Sequence, residues 1–151
     1  MLIIESGVIF HCKVLNKKNI LGELVFNTSN YGYNEIISDP SYKSQFLIFS
    51  NPHLGNSGVI FQNLQSFKIK LNSIIIKNYS ISSNFRSNLK MNSFFKKNKV
   101  PIIFNIDTRF LISTIRNIGN QFAFLIINFK KKKKNIIKYL RFLNNQKIFY
   151  D

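Results

Sequence analysis

Residues 26–42 read FNTSNYGYNEIISDPSY, and nothing else in the chain is written like them. Elsewhere Ile, Lys, Asn and Phe dominate, yet this stretch holds Glu35 and Asp39, two of only six acidic residues, beside Gly32, Pro40 and a series of Ser, Thr and Asn. Such residues make tight turns for separate reasons: Gly reaches positive φ, Pro fixes φ, and Asn, Asp and Ser bond their own backbone. Short β-prone runs lie on either side, at 21–26 before the stretch and 46–49 after it. The segment therefore reads as a dense turn region set between two strands.

Working outward, the first quarter reads as strands joined by turns, at 2–4, 8–14 and 21–26, separated by Ser6-Gly7 and by the polar residues 16–19. The wholly apolar run 46–49, and the stretch 68–77 that alternates before turning Ile-rich, suit a sheet covered on one or both faces. Helical signals come later. Met91, Phe94 and Phe95 have i, i+3, i+4 spacing and precede Lys96 and Lys97, which favours a short helix with cations at its C-terminal end. Asp107 is a good N-cap for a second helix with Leu111, Ile115 and Ile118 on one face, ending at Gly119. Residues 121–127 read as a strand, and Ile136, Ile137, Leu140 and Leu143 as the apolar face of a last helix.

A chain of 151 residues with 45% apolar content and 16 Phe can bury a real core, so one mixed α/β domain is expected. The net charge of +16 would ordinarily point to nucleic acid or an anionic membrane. Lys outnumbers Arg 18 to 4, however, and rises together with Ile, Asn, Phe and Tyr, the pattern of an AT-biased coding sequence. A chain built for phosphate recognition would use more of the forked guanidinium. The run of five lysines at 130–134 is read as a solvated loop, because like charges repel, and nucleic-acid binding stays the alternative from another class. Cys12 is the only cysteine, which fits a reducing, cytoplasmic setting. No stretch reaches membrane-span length, and the first residues lack a basic leader, so no membrane partner is expected.

Catalytic chemistry can be tested by elimination. His11 and His53 are the only imidazoles, and His11 beside Cys12 on a strand would face the opposite way from it. A thiol–imidazole pair is therefore not expected, and one Cys makes a poor metal site. His53 lies in a turn-rich loop, 51–58, whose GNSG portion lacks the flanking helices a backbone-clamping GxxG loop needs. Among the acids, Asp107 is explained as a cap and Asp39 before Pro40 as a turn initiator; Glu23 and Glu35 read as surface charges paired with lysines.

Several ordered blocks carry a resemblance: GELVFNTS (22–29), GYNEIISDPSY (32–42), NPHLGN (51–56), SNFR (83–86) and IDTR (106–109). Together, across about residues 2–127, they resemble the N-terminal domain of the glutamine-hydrolysing small subunit of carbamoyl-phosphate synthase. That resemblance implies a compact β/β/α domain of the swivelling type over 1–128, with 129–151 a lysine-rich loop and C-terminal helix packed on it. It implies a subunit of a ligase complex, feeding arginine or pyrimidine synthesis, that docks on a large subunit holding ATP and Mg, with no cofactor of its own. A class I amidotransferase domain follows this one in the family; the chain is expected to end where the linker to it would begin, so a separate glutaminase chain is expected as a further partner. The alternative within the same ancestry is a non-functional remnant beside an ammonia-dependent large subunit. Ser41 matches the one position of the domain that touches bound glutamine, and Glu23, Asn27, Tyr33, Glu35, Asp39, Tyr42, His53, Asn56 and Arg109 are candidate interface residues. No catalytic or metal-binding residue is expected.

Overall fold

The chain opens with three short strands, β1 (Leu2–Ile4), β2 (Ile9–Phe10) and β3 (Lys13–Leu15), in a computed structural model that describes residues 1–51, 53–54, 58–66, 68–79, 89–127 and 137–143. The long strand β4 (Ile20–Asn27) leads through α1 (Tyr33–Ser38) and a 3-10 turn (Pro40–Tyr42) to β5 (Gln45–Phe49). Next come β6 (His53–Leu54), a second 3-10 turn (Phe61–Asn63), β7 (Ser73–Ile75) and β8 (Asn78–Tyr79). Helix α2 (Met91–Lys97), β9 (Ile102–Phe104), α3 (Thr108–Ile118) and β10 (Gln121–Leu125) follow, and residues 137–143 are helical.

Eight strands form one mixed sheet in the order β2-β1-β10-β4-β5-β7-β9-β3, while β6 and β8 pair separately. The four central strands β4, β5, β7 and β9 run parallel, so β5, β7 and β9 are each reached from the strand before by a crossover, and β10, β1, β2 and β3 pair antiparallel at the flanks. The two edge strands, β2 and β3, are neighbours in sequence, joined only by His11 and Cys12. Such a link spans at most ~11 Å, whereas a flat sheet of this width would hold its edges roughly 34 Å apart. The sheet must therefore curl until its edges nearly meet.

Strand periodicity divides the core. Phe46 and Ile48 of β5 point into one cluster with Leu24, Ile75, Ile103 and the α3 residues Leu111, Ile112 and Ile115. Leu47 and Phe49 point the other way, into a cluster with Ile37 of α1 and Met91, Phe94 and Phe95 of α2. This two-sided covering explains why residues 46–49 are apolar without alternation. A smaller cluster joins Ile3, Ile126 and Leu143, with the Phe124 ring 5.3 Å from that of Tyr139, so residues 137–143 lie against β1 and β10.

Helix α3 begins as its sequence dictates: the Asp107 carboxylate accepts from the Phe110 amide at 3.0 Å and Gly119 ends it. Asp107→Ala should destabilise the protein by about 1 kcal/mol while Asp107→Asn costs far less. Urea titrations of the two variants check this; equal losses would mean that the cap is not what the carboxylate supplies.

Several expectations need correction. Residues 8–14 are not one strand, because the chain leaves one edge of the sheet at Phe10 and rejoins the other at Lys13. Only 73–75 of the 68–77 stretch is a strand, and the strand expected at 121–127 ends at Leu125. Residues 26–42 are not turns alone, since they contain α1. Ile118 and Ile137, placed on buried faces by their spacing, are 56% and 50% exposed, and Ile118 is the last residue of α3. The lysine run, Ser83–Arg86 and Ile136 lie outside the described residues.

Candidate functional site

The 26–42 stretch is built from side chains that bond backbone close by. Asn27, the last residue of β4, accepts from the Ser29 amide at 2.8 Å and donates its Nδ2 to Tyr42 Oη at 3.4 Å. Ser29 Oγ donates to the Tyr31 carbonyl at 2.9 Å, closing a loop that leaves Tyr31 85% exposed. Gly32 adopts φ +69, a left-handed conformation open to Gly at little cost, and begins α1.

Two bonds fasten α1 to a distant segment. Tyr33 Oη donates to the Gly58 carbonyl at 3.0 Å, and Ser38 Oγ accepts from the Gln65 amide at 2.9 Å while donating to the Asn34 carbonyl at 2.7 Å. Between them lie two buried oxygens, Asn34 Oδ1 and Glu35 Oε2, with no hydrogen-bond partner among the described residues. Buried oxygens of this kind are costly unless something else satisfies them.

The Asp-Pro-Ser turn follows. Asp39 Oδ1 accepts from the Ser41 amide at 2.8 Å, and Pro40 sets φ at the first position of the 3-10 turn. Ser41 is exposed and its hydroxyl has no partner among the described residues, so it can both donate to and accept from an outside group.

The remaining candidates do not join one cluster. Glu23 lies four residues back along β4 from Asn27, roughly 13 Å away at strand rise, where its carboxylate accepts from Gln45 Nε2 at 3.0 Å and has no lysine partner among the described residues. Arg109 projects from the first turn of α3 into a separate cleft shared with Thr28 and Ser50. His53 contributes backbone to β6, which pairs with β8, and Asn56 lies outside the described residues. Sequence reading passed over Asn34 and Ser38, whose burial depends on contacts with 58–65, and Arg116, although its i+7 spacing from Arg109 was visible.

The strand expected to separate the His11 and Cys12 side chains is not present at these two residues. His11 and Cys12 occupy the link between β2 and β3; His11 is exposed, and Cys12 is half-buried against the first core cluster. Burial pushes the Cys12 thiol up, and the N-terminal ammonium only partly opposes this, so the group stays protonated near neutral pH. No group of three or more His, Cys, Asp or Glu that could hold a metal occurs among the described residues. No helix among them is long and apolar enough to cross a membrane.

Comparison with known proteins gives this geometry a context. Residues 2–125 match the family described as carbamoyl-phosphate synthase small chain, CPSase domain. The carbamoyl phosphate synthase small chain of Buchnera aphidicola subsp. Schizaphis graminum is 41% identical over 137 residues, which is 89% of this chain and 35% of that protein. The small chain of Wigglesworthia glossinidia brevipalpis is 39% identical over 93% of this chain and 39% of its own length. That of Cyanidium caldarium is 39% identical over 89% and 36%. The chain thus spans little more than a third of the curated relatives it matches.

Proposed function

The chain belongs to the carbamoyl-phosphate synthase small chain family, and from that premise we propose that it acts as the docking and glutamine-positioning part of a glutamine-dependent synthase. In this reading the complex makes carbamoyl phosphate from glutamine, bicarbonate and ATP. A large chain holds ATP and Mg, and no cofactor belongs to residues 1–151. The observation that carries the reading is the exposed Ser41 hydroxyl, presented by a turn whose backbone the Asp39 carboxylate and Pro40 hold within the matched region, with no partner among the described residues. A hydroxyl presented in this way suits the glutamine backbone or side-chain amide, which both donates and accepts.

Cleavage of the glutamine amide is assigned outside these residues, because a protonated, half-buried Cys12 beside an exposed His11 offers no activated nucleophile. A separate glutaminase domain or chain would supply it, and the present chain would not be catalytic alone. The swivelling β/β/α arrangement is proposed for 1–128, with 129–151 packed on it, in keeping with a curled sheet that has helices on both faces. Tyr33, Glu35, Asp39, Tyr42 and Asn27 would form one docking surface around α1. Glu23, Arg109, His53 and Asn56 would contribute from separate positions. A cytoplasmic location is proposed on the same grounds.

The test is reconstitution. The chain should co-purify with the large chain at micromolar concentration, and in the complete complex Ser41→Ala should raise KM for glutamine about three- to tenfold with kcat nearly kept, the value of one lost hydrogen bond. Absence of any complex would overturn docking, an unchanged KM would remove Ser41 from the site, and glutamine turnover by the purified chain alone would refute the division of labour.

A further inference from the structure

The cleft where α3 meets the ends of the parallel strands carries a chemistry that the family reading does not use. Arg109, Ser113 and Arg116 are spaced i, i+4, i+7, so they form one stripe along α3. Thr28, just after β4, and Ser50, just after β5, form the facing wall of a cleft of about 300 Å³. The whole chain contains only four arginines against 18 lysines, and two of the four line this one space.

Among the described residues nothing neutralises either guanidinium there. The Arg116 guanidinium carbon sits 5.1 Å from the centroid of the Phe26 ring, a cation–π contact that fixes the group and leaves its in-plane N–H donors to other partners. Arg109 is exposed and makes no hydrogen bond or ion pair among the described residues. Among the described residues no carboxylate lines the cleft, and the acid nearest in sequence, Asp107, is engaged as the α3 cap. Two like charges sharing a small cleft repel each other, which a dianion between them would reverse.

We propose that this cleft is a binding site for a phosphate group, carried by a small phosphate monoester. A phosphate monoester has a charge of roughly −2 near neutral pH and three strong acceptor oxygens. Two guanidinium forks, with hydroxyls from Thr28, Ser50 and Ser113, supply more donors than a planar carboxylate, with its two oxygens, can accept. The space is at the small end of ligand clefts and holds more than a bare ion, which favours an ester over free phosphate. The site shares no residue with the Ser41 turn, so it is independent of glutamine positioning, and it gives Arg109 a role other than general contact with a partner chain.

The proposal is tested on the 151-residue chain by amide NMR titration with inorganic phosphate, glycerol 3-phosphate and acetate at physiological salt. Saturable shifts centred on Thr28, Ser50, Ser113 and Asn117, tighter for the monoester than for free phosphate, are expected. In R109Q/R116Q, binding should weaken by at least about tenfold. Shifts beyond the cleft should stay unchanged, since both side chains are exposed. If the double variant does not fold, R116K serves instead: it keeps the charge, loses the fork and should still bind several times more weakly. Lys17→Gln/Lys18→Gln should leave the affinity within about twofold, because generic attraction from exposed lysines that do not line the cleft is screened. The proposal fails if acetate binds as well as the monoester, if the shifts scatter over the lysines, or if R109Q/R116Q binds like the parent.

Discussion

Phe46→Ala is expected to lower the free energy of unfolding by about 3–5 kcal/mol, the range for emptying a fully buried aromatic site. Phe46 has no exposed surface and stands on β5, near the middle of the sheet, between Leu24 of β4 and Ser73 of β7 in register. Its ring is in the cluster that joins the sheet to α3, so truncation opens a cavity walled by β4, β7 and α3 together. Those walls are each fixed by backbone pairing or by the packing of a whole helix, which limits collapse into the space. A typical domain has a stability of only about 5–15 kcal/mol, so the loss would take a large fraction of the total. Guanidinium titrations should show a lower midpoint with an unchanged slope. Tyr31→Ala, on a side chain 85% exposed, is the internal control and should be near neutral. A loss below about 1 kcal/mol for Phe46→Ala would mean that β5 is not covered on that face.

How much of this was readable beforehand depended on how local each cause was. β5, α2 and α3 were legible because their signals lie within their own residues: an unbroken apolar run, an i, i+3, i+4 triplet, and an Asp cap with a Gly stop. The Asp39–Ser41 bond was legible for the same reason, since Asp-Pro-Ser encodes its own turn. Helix α1 was not. Its six residues include Tyr, Asn and Ser, which are poor helix formers, and it is held by Tyr33 and Ser38 reaching to Gly58 and Gln65. The split of residues 8–14 was hidden too, because only closure of the sheet tells the chain to change edges at His11 and Cys12. The Arg109–Arg116 cleft shows the same division: the spacing along α3 is written in the sequence, but Thr28 and Ser50 come opposite it only when β4 and β5 pair in parallel. Identity of site residues was therefore easier to read than their grouping, and Glu23, bonded to Gln45 on the strand away from the 26–42 loop, illustrates the difference.

The second large effect is expected at Gly22, where adding a single methyl group should cost about 2–3 kcal/mol and Gly22→Val more. Gly22 lies in β4 opposite Ala123 of β10, and its φ is ordinary, so contacts alone decide the outcome. A Cβ there would sit 2.8 Å from the Ser44 carbonyl oxygen, 3.1 Å from Phe46 Cδ1 and 3.2 Å from Asn72 Nδ2. The Ser44 oxygen cannot easily retreat. It accepts from Asn72 Nδ2 at 2.9 Å, the Ser44 amide donates to the Lys70 carbonyl at 3.1 Å, and Ser44 already holds a positive φ of 65°. Asn72 is fixed in turn by its bond to the Leu21 carbonyl at 2.6 Å. Replacing a strand glycine by alanine returns about 0.5–1 kcal/mol through the unfolded chain, too little to offset a backbone clash. A double-mutant cycle with Phe46→Ala separates the two obstacles, since truncation removes the ring contact but leaves the carbonyl in place. Gly22→Ala should therefore still cost more than about 1 kcal/mol in the Phe46→Ala background. A neutral or stabilising Gly22→Ala in the parent chain would show that β4 and the turn at Ser44 stand further apart than their hydrogen bonds to Asn72 allow.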